Sequence, residues 1–420
     1  MKRWAFLLGW VSLVAAGEGM EILGEVAEGL PRVAAVRAAT AGPKHHFFGY
    51  YAICPWDATG RYLVCMETDF SDRMPAPGEP ARICLVDTES GELKPIAETA
   101  AWNFQQGALA HWLGEREIVF NDVVDGRLRA VVLDVFSRDR RVLPRAITSV
   151  AHDGKTAACI SFGRLNTTRP GYGYPGVDDP HAHAPHPKED GLFVMDLETG
   201  ASTLVASLDD VFRAAPLPEG HEDATMWLNL VIMSRDDQHV AFLGRYRPPG
   251  AKGWRTALFT VKVDGTELRC VVPYTWGCSH FDWVDGARLV ATTRYRGKVG
   301  GHVLFTNGKD DYRLLAPEVL KHDGHCHASP DARWMVTDSY PLGPNRMQGF
   351  YVMDLATDDV ALVARFHEPA AFRGEWRCDL HPRWGRDGKK VCIDSTHEGT
   401  RQVYVLDLEF PEARKPDVGP

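Results

Sequence analysis

The sequence predicts an all-β protein folded as a seven-bladed β-propeller. Seven similar units recur, most of them 43 to 57 residues apart, which is close to the roughly 40 to 50 residues typical of propeller blades with four short strands each. The units cover residues 50–87, 107–134, 150–196, 227–264, 280–305, 325–354 and 381–407. No helical period is sustained along the chain, which argues against a parallel sheet whose strands are connected by helices.

The units share one plan. A polar opening leads into a turn and an apolar run, and in several units a later strand ends on aspartate. These closing strands are rich in β-branched and aromatic residues and show the alternation expected of a strand. Clear examples occupy residues 83–87, 192–196, 351–354 and 403–407.

The propeller is expected to occupy residues 45–410, between an N-terminal segment at 18–44 and a tail at 411–420. With 420 residues, of which 45% are hydrophobic, the chain can bury a large core. Its formal net charge of -9 argues against a nucleic-acid partner, because such proteins present basic surfaces.

The N-terminus has the composition of a secretory signal peptide. Lys2 and Arg3 form a positive region, residues 5–14 are apolar, and small residues follow at 15–17. We therefore expect a signal peptide at residues 1–17 and a periplasmic or secreted protein. The alternative is a buried N-terminal helix, with Met20 as the true start. No later apolar stretch is long enough to predict a membrane span.

An insertion interrupts the third unit at residues 163–176. Its glycines and prolines predict an irregular surface loop, and long loops within compact repeats are often functional. Because the insertion contains arginine and tyrosine, we expect it to cover the end of the channel that carries chemistry. The histidines that follow, at positions 181, 183 and 186, are expected to be solvated.

Three histidines occupy similar positions in the last three units. His280, His325 and His381 each precede a turn and an apolar run. The first strands of propeller blades line the central channel, so these side chains should meet at one end of it. The alternation of a strand places His327 on the side of His325, and Asp379 on the side of His381. Such a set of nitrogen and oxygen ligands predicts a divalent metal, Zn or Mn.

A cysteine lies beside each of these histidines. Cys278, Cys326 and Cys378 could ligate a soft metal or pair with one another, and their spacing does not choose between the two.

The earlier units supply further polar candidates for the channel. Gln106 and His111 open the second unit, Asn229 precedes the turn of the fourth, and Arg245 follows on its next strand. Polar side chains with tryptophans nearby suit a carbohydrate, which needs hydrogen bonds at its rim and an apolar platform.

The motifs around the three histidines resemble those of the oligogalacturonate lyases. The resemblance rests on residues 278–283, residues 324–331 and the stretch that begins at His381, and it covers mainly the last three blades. Those enzymes are seven-bladed propeller polysaccharide lyases with a metal at the channel mouth. The sequence departs from their pattern at Asp379, where that family places another histidine. The propeller ulvan lyases are a second, looser resemblance.

The resemblance implies β-elimination on a uronic acid of an acidic polysaccharide or oligosaccharide. His280 would then be the base, and His325 and His381 metal ligands. The candidate catalytic residues are His280, His111, Arg164, Tyr172 and Arg245. The candidate metal ligands are His325, His327, His381 and Asp379. The candidate substrate-binding residues are Gln106, Asn229, Arg169 and Tyr174.

Two other functions are compatible with a propeller. Ser329-Pro330-Asp331 is similar to the turns of TolB-like periplasmic propellers, which act by binding and need no channel metal. A glycoside hydrolase would need two carboxylates that flank a bond, and no spacing in the sequence pairs any two aspartates in this way.

Overall fold

A computed structural model describes residues 19–24 and 26–411, which form seven antiparallel sheets in chain order. The predicted all-β, seven-bladed propeller is confirmed. The predicted signal peptide and residues 412–420 of the predicted tail lie outside the described residues. Within the described ranges, neither helix is long and apolar enough to cross a membrane.

The first three blades follow two N-terminal strands. Those strands are β1 (Met20–Ile22) and β2 (Arg32–Ala38). The first blade contains β3 (His45–Phe47), β4 (Tyr62–Thr68), β5 (Ala81–Asp87) and β6 (Leu93–Thr99). The second contains β7 (His111–Leu113), β8 (Glu117–Val124), β9 (Arg127–Asp134) and β10 (Arg140–Leu143). The third contains β11 (Ser149–Val150), β12 (Thr156–Cys159), α1 (Phe162–Thr168), β13 (Gly191–Asp196) and β14 (Ser202–Ser207).

The remaining blades follow a second helix, α2 (Leu208–Ala214). The fourth blade contains β15 (Met226–Met233), β16 (His239–Tyr246), β17 (Arg255–Lys262) and β18 (Arg269–Val272). The fifth contains β19 (Cys278–Trp283), β20 (Arg288–Tyr295), β21 (Val299–Thr306) and β22 (Arg313–Leu315). The sixth contains β23 (His327–Ala328), β24 (Trp334–Asp338), β25 (Met347–Asp354) and β26 (Val360–His367). A 3-10 turn at Gly374–Trp376 precedes the seventh, β27 (Arg383–Trp384), β28 (Lys390–Ser395) and β29 (Gln402–Glu409).

The N-terminal strands complete the last two blades. β2 pairs with β29 as the fourth strand of the seventh blade, so the two ends of the chain close the ring together. β1 pairs with β26 as a fifth strand of the sixth blade. The segment at 18–44, which the sequence placed outside the propeller, therefore contributes two strands to it.

The aspartate at the end of several closing strands stabilises the next turn. Asp87 Oδ1 accepts backbone N–H groups of Glu89 and Ser90, and Asp196 Oδ1 accepts those of Glu198 and Thr199. Aspartate favours such turns because its short side chain reaches the backbone two residues on. The repeat seen in the sequence is thus a repeat of hairpin turns.

Buried tryptophans connect successive blades. The indole Nε1 of Trp283 in β19 donates to Ile232 O of the fourth blade at 3.1 Å, and that of Trp384 in β27 donates to His327 O of the sixth at 3.0 Å. His280 and His381 each lie three residues before one of these tryptophans. Because the anchors set the position of the first strands, both histidines reach the same end of the channel.

The insertion in the third blade is partly helical, so the prediction of an irregular loop is wrong at its start. Ser161 caps α1 by accepting the Arg164 backbone N–H at 3.2 Å. The helix ends before Pro170, whose ring disfavours a helical conformation in the preceding residue. Apart from Gly163, the glycines and prolines that suggested a loop lie after this helix.

Candidate active site

The imidazoles of His280, His325 and His381 lie side by side at one end of the channel. The His325 ring centroid is 4.1 Å from that of His280 and 4.2 Å from that of His381. All three side chains are buried. The structure therefore brings together the three histidines that the sequence placed in register.

Two of the rings are oriented through Nδ1. His325 Nδ1 donates to both carboxylate oxygens of Asp338, at 2.9 and 3.0 Å. His381 Nδ1 donates to Gly49 O at 2.7 Å. Each Nε2 is left buried and without a hydrogen-bonded partner among the described residues. Metal-ligating histidines are usually held in this way, with one nitrogen bonded to a carboxylate or carbonyl.

Asp379 completes a set of three candidate ligands. One ligand atom each of His325, Asp379 and His381 lies within 4.8 Å of the other two. The Asp379 oxygens are also buried, and neither makes a hydrogen bond of good geometry within the described residues, although Oδ2 lies 2.8 Å from Arg377 Nε. Buried polar atoms are rarely left without partners, so these donors fit a divalent cation.

The pKa values of the two ring ligands differ because their surroundings differ. Burial lowers the pKa of His325, but the Asp338 carboxylate outweighs it and the pKa is raised. A cation on Nε2 takes the place of the proton, so the same contact favours a metal. Burial, with His325 acting in the same direction, lowers the pKa of His381 well below its usual range, which leaves a neutral imidazole.

His280 has a different partner and an available nitrogen. Its Nδ1 donates to Asp323 Oδ1 at 3.0 Å. Burial lowers the pKa of His280 more than Asp323 raises it, so the ring is neutral at pH 7. His280 Nε2 makes no hydrogen bond in the part of the chain that the structure describes. A neutral, oriented imidazole with a free Nε2 has the properties of a general base.

Tyrosines surround the three imidazoles. The ring centroids of Tyr50 and His381 are 5.1 Å apart, and those of Tyr51 and His325 are 5.2 Å apart. Tyr340 packs on His325 at 5.7 Å. Burial raises the pKa of all three tyrosines well above its usual value, so each hydroxyl keeps its proton.

Arg245 is a buried cation beside this group. Its side chain forms no ion pair among the described residues, and its Nε has no hydrogen-bonded partner there. Burial lowers its pKa, and the electrostatic influence of Tyr50 and Tyr172 opposes that change. A buried charge without a counter-ion is costly. The arrangement is therefore suited to an anionic ligand.

The insertion lies over this end of the channel, as predicted. Arg377 Nη2 donates to Tyr172 Oη at 3.0 Å, and Arg169 Nη1 donates to Glu375 Oε1 at 2.8 Å. Both bonds join the insertion to the segment that leads into the seventh blade. Tyr172 and Arg169 thus cover the imidazoles.

Six predicted residues have other roles or positions, and His327 is the first. It is absent from the ligand group, and its Nδ1 accepts the Trp384 backbone N–H at 3.1 Å. Two residues of extended chain move the side chain about 6.5 Å along the channel from His325. Alternation correctly predicts the side of the strand on which His327 lies, but it does not predict the depth of the side chain in the channel. The prediction of His327 as a ligand is wrong.

His111 lies away from the site. Its Nδ1 donates to Leu109 O at 2.8 Å, and burial lowers its pKa to about 4. Its charged neighbours, His152 and Arg386, belong to turns between first and second strands, at the opposite end of the channel. The prediction of a catalytic His111 is therefore wrong.

Arg164 and Tyr174 stabilise the insertion. Arg164 donates to Met226 O, Asp179 Oδ2 and three further carbonyl oxygens, so all its N–H groups are used. Tyr174 stacks on Phe162 at 4.5 Å, and its hydroxyl accepts from Asn121 Nδ2 at 3.0 Å. Both side chains are buried. The predictions of a catalytic Arg164 and a substrate-binding Tyr174 are wrong.

Gln106 and Asn229 line an internal cavity of about 20 Å³ beneath Tyr50 and Tyr51. A space of this size holds about one water molecule. Their predicted contact with a sugar is therefore wrong, since a sugar ring does not fit there.

The cysteines beside the histidines play neither of the suggested roles. Cys278, Cys326 and Cys378 are buried free thiols, and none belongs to the ligand group. Burial raises the pKa of each thiol. They pack as small apolar side chains.

The sequence reasoning missed Tyr50, Tyr340, Asp338 and Arg377. The sequence could have indicated Arg377, because it lies two residues before Asp379, and residues two apart in an extended chain lie on the same side. Tyr340 has the same relation to Asp338. Tyr50 lies in the connection after β3 and matches no repeat.

Fold and site define a seven-bladed propeller with a histidine-rich, candidate metal-binding site at one end of its channel. Among solved structures, the chain is similar to an oligogalacturonate lyase in complex with manganese, with a TM-score of 0.59 and 18% identity over 91% of this chain and 99% of that one. It is also similar to oligogalacturonate lyase from Vibrio parahaemolyticus, with a TM-score of 0.62 and 15% identity over 91% and 98% of the two chains.

The fold is shared with proteins of other activities. The tricorn protease has a TM-score of 0.51 and 12% identity over 90% of this chain and 36% of that one. No protein-family model and no curated protein matches the sequence. These likenesses establish the fold, and the activity has to be argued from the site.

Proposed function

We propose that this protein is a lyase that cleaves uronic-acid-containing oligosaccharides or polysaccharides by β-elimination. The observation that carries the proposal is the buried Arg245, which has no counter-ion among the described residues and lies beside a candidate metal site and a neutral histidine. A uronate carboxylate is the anion that this arrangement fits.

The reaction first requires neutralisation of the carboxylate, because the C5 proton is otherwise only weakly acidic. Arg245 supplies one positive charge to it. His325, His381 and Asp379 are suited to hold Zn or Mn, and a bound divalent ion supplies further positive charge to the same group. Such charges act strongly in a site from which water is excluded.

His280 is the proposed base. Its neutral Nε2 takes the C5 proton while Asp323 orients the ring and stabilises the imidazolium that forms. The electron pair of the C5–H bond forms the C4–C5 double bond, and the C4–O bond breaks with its pair on oxygen. A tyrosine hydroxyl, that of Tyr50 or Tyr172, gives the leaving oxygen its proton.

The two carboxylates bonded to His280 and His325 favour elimination over glycoside hydrolysis. A glycosidase needs a carboxylic acid with a raised pKa as its general acid. Although burial favours the neutral form, the neighbouring histidines hold the pKa of Asp323 and of Asp338 below its usual range. Both groups are therefore ionised and occupied as partners of imidazoles.

A non-catalytic, TolB-like binding role leaves the site unexplained. It gives no reason for buried nitrogens and oxygens that lack partners, which cost stability unless something binds them. The test is incubation with galacturonate, glucuronate and alginate oligomers, with and without added Mn²⁺ or Zn²⁺. We expect the ultraviolet absorbance of an unsaturated product from at least one of them. Saturated fragments instead would indicate a hydrolase.

We also propose that the protein is exported, on the composition of residues 1–17. The test is expression of the full chain in a bacterium, followed by fractionation and N-terminal sequencing. A mature N-terminus near residue 18 in the periplasm or medium is the expected result. An uncleaved cytoplasmic chain would contradict it.

A further inference from the structure

A second cavity, outside the cluster of imidazoles, opens beside it. It is a cleft of about 590 Å³ between the fourth and fifth blades. This volume falls in the range of about 300–1,000 Å³ that is typical of ligand sites. Its inner end is lined by Cys278 and Asp323, the partner of His280, and its outer part by both blades.

The cleft is the open approach to the site. The insertion covers the imidazoles through its bonds with Arg377 and Glu375. Asp323, in contrast, has a side chain that is 37% exposed. A chain of sugars that places one unit against His280 can therefore extend through the cleft.

Two tryptophans line the cleft. Trp254 is shared with the candidate active site, because the guanidinium groups of Arg169 and Arg245 lie 4.8 and 5.6 Å from its ring centroid. Trp276 packs edge-on against Tyr312 at 5.1 Å and Tyr295 at 6.0 Å, so its position is fixed, yet it is only half-buried. A rigid indole at the wall of a cleft can pack on the apolar face of a sugar.

Two of the charged groups that line the cleft are cations without partners among the described residues, whereas Lys321 is paired with Glu318. Arg255 and Arg294 are exposed and form no ion pair within residues 19–24 and 26–411. The one carboxylate among the lining residues, Asp323, is already bonded to His280. By comparison, the nearby Arg296 lies 3.7 Å from Asp310. An acidic protein thus keeps two free guanidinium groups at this place.

We propose that this cleft binds the sugars of an acidic oligosaccharide that lie beyond the reacting unit. Arg255 and Arg294 bind carboxylates of those sugars, and Trp276 packs on a sugar face. The proposal rests on the lyase function proposed above, and it extends that function to a preference for longer chains. Guanidinium groups suit the role because they bind carboxylates through two parallel hydrogen bonds.

The first test compares short and long substrates. The double variant Arg255→Gln, Arg294→Gln is assayed with uronate disaccharides and hexasaccharides, and Arg296→Gln, outside the cleft lining, is the control. We expect the KM for hexasaccharides to rise about tenfold, which corresponds to about 1.4 kcal/mol, while kcat and the disaccharide kinetics stay within about twofold. Equal effects on both substrates, or none on either, would overturn the proposal.

A binding measurement separates this proposal from the lyase function. Calorimetry follows galacturonate, glucuronate and alginate hexasaccharides as they bind to the wild type, the double variant and Trp276→Ala. If both variants weaken hexasaccharide binding but no unsaturated product forms, the proposed binding role of the cleft stands and the proposed lyase function is rejected. Turnover with unchanged binding in the variants would reject the cleft alone. A wild type that binds none of the three would also reject the cleft.

Discussion

The carboxylate of Asp338 holds His325 at two points, because Oδ1 accepts the backbone N–H at 2.8 Å and the ring Nδ1 at 2.9 Å. Its other oxygen accepts the His381 backbone N–H at 3.0 Å. His381 has a φ of 45°, which residues other than glycine rarely adopt. One buried aspartate therefore positions two candidate ligands from neighbouring blades.

We expect Asp338→Asn to weaken metal binding by about 10- to 100-fold, because partners that orient metal-ligating histidines have effects of this size. The amide keeps only one of the two acceptor oxygens, so it cannot accept from His325 and His381 together. Titration calorimetry with Mn²⁺ and Zn²⁺ measures the change. Asp407→Asn, in an exposed pair with Arg37, is the control and should bind as the wild type does. Equal affinity of the two variants would remove Asp338 from this role.

Replacing the candidate metal ligands and replacing the candidate base should have different effects on metal content. His325→Ala and His381→Ala should lose both metal and lyase activity, whereas His280→Ala should retain the metal and lose on the order of 10²–10⁴-fold in kcat. Elemental analysis and the ultraviolet assay, applied to the same preparations, distinguish the two classes. A metal-free wild type with full activity would contradict the ligand roles, and an active His280→Ala would contradict the base.

The sequence could predict what repeats. The blades, His280 and His381 were accessible because the same turn and the same tryptophan anchor recur at fixed offsets. Depth along the channel was not accessible, because alternation gives only the side of a strand, and this is why His327 was wrongly assigned.

Residues in the connections were harder to assign, because no repeat constrains them. Tyr50 lies outside every repeated motif, although it packs on His381. Arg164 was proposed as catalytic only because the insertion contains arginine and tyrosine. The carbonyl oxygens to which it donates are brought to it by the fold of the insertion, which no sequence pattern predicts.

Arg245 and Arg164 should respond in opposite ways to replacement by methionine. Arg245→Met removes a buried charge without a counter-ion. We therefore expect the free energy of unfolding to stay the same or to increase by up to about 4 kcal/mol. The substitution should also lower kcat/KM on the order of 10²-fold, through loss of the charge that neutralises the carboxylate. Arg164→Met breaks a fully bonded buried group and should destabilise the fold by about 3–5 kcal/mol. Urea unfolding and the lyase assay measure both. Destabilisation of similar size in the two variants would show that Arg245 is a structural residue.

The final prediction concerns the pH dependence of stability. Asp282 is buried, and its Oδ2 accepts the Ala328 N–H at 2.9 Å. Burial raises the pKa of Asp282 to about 6, although Arg235 and the hydrogen bond act in the opposite direction. In the unfolded chain the pKa of an aspartate carboxyl is about 3.9. The folded state therefore keeps the proton to higher pH, and this group weakens the fold progressively as pH rises from about 4 to about 6.

Asp282→Asn removes this titration and retains an oxygen to accept the Ala328 N–H. Relative to the wild type, we expect its free energy of unfolding to increase by roughly 2–3 kcal/mol between pH 4 and pH 7.5, as a pKa difference of about two units implies. Asp285→Asn is a control of opposite sign, because hydrogen bonds from Arg288 and Ala287 outweigh burial and lower the pKa of Asp285. That variant should lose stability relative to the wild type as pH rises to about 4, near the pKa of the unfolded carboxyl, and should then stay level up to pH 7.5. Urea unfolding across this range tests both, and a pH-independent difference for Asp282→Asn would show that this carboxyl titrates alike in the folded and unfolded states.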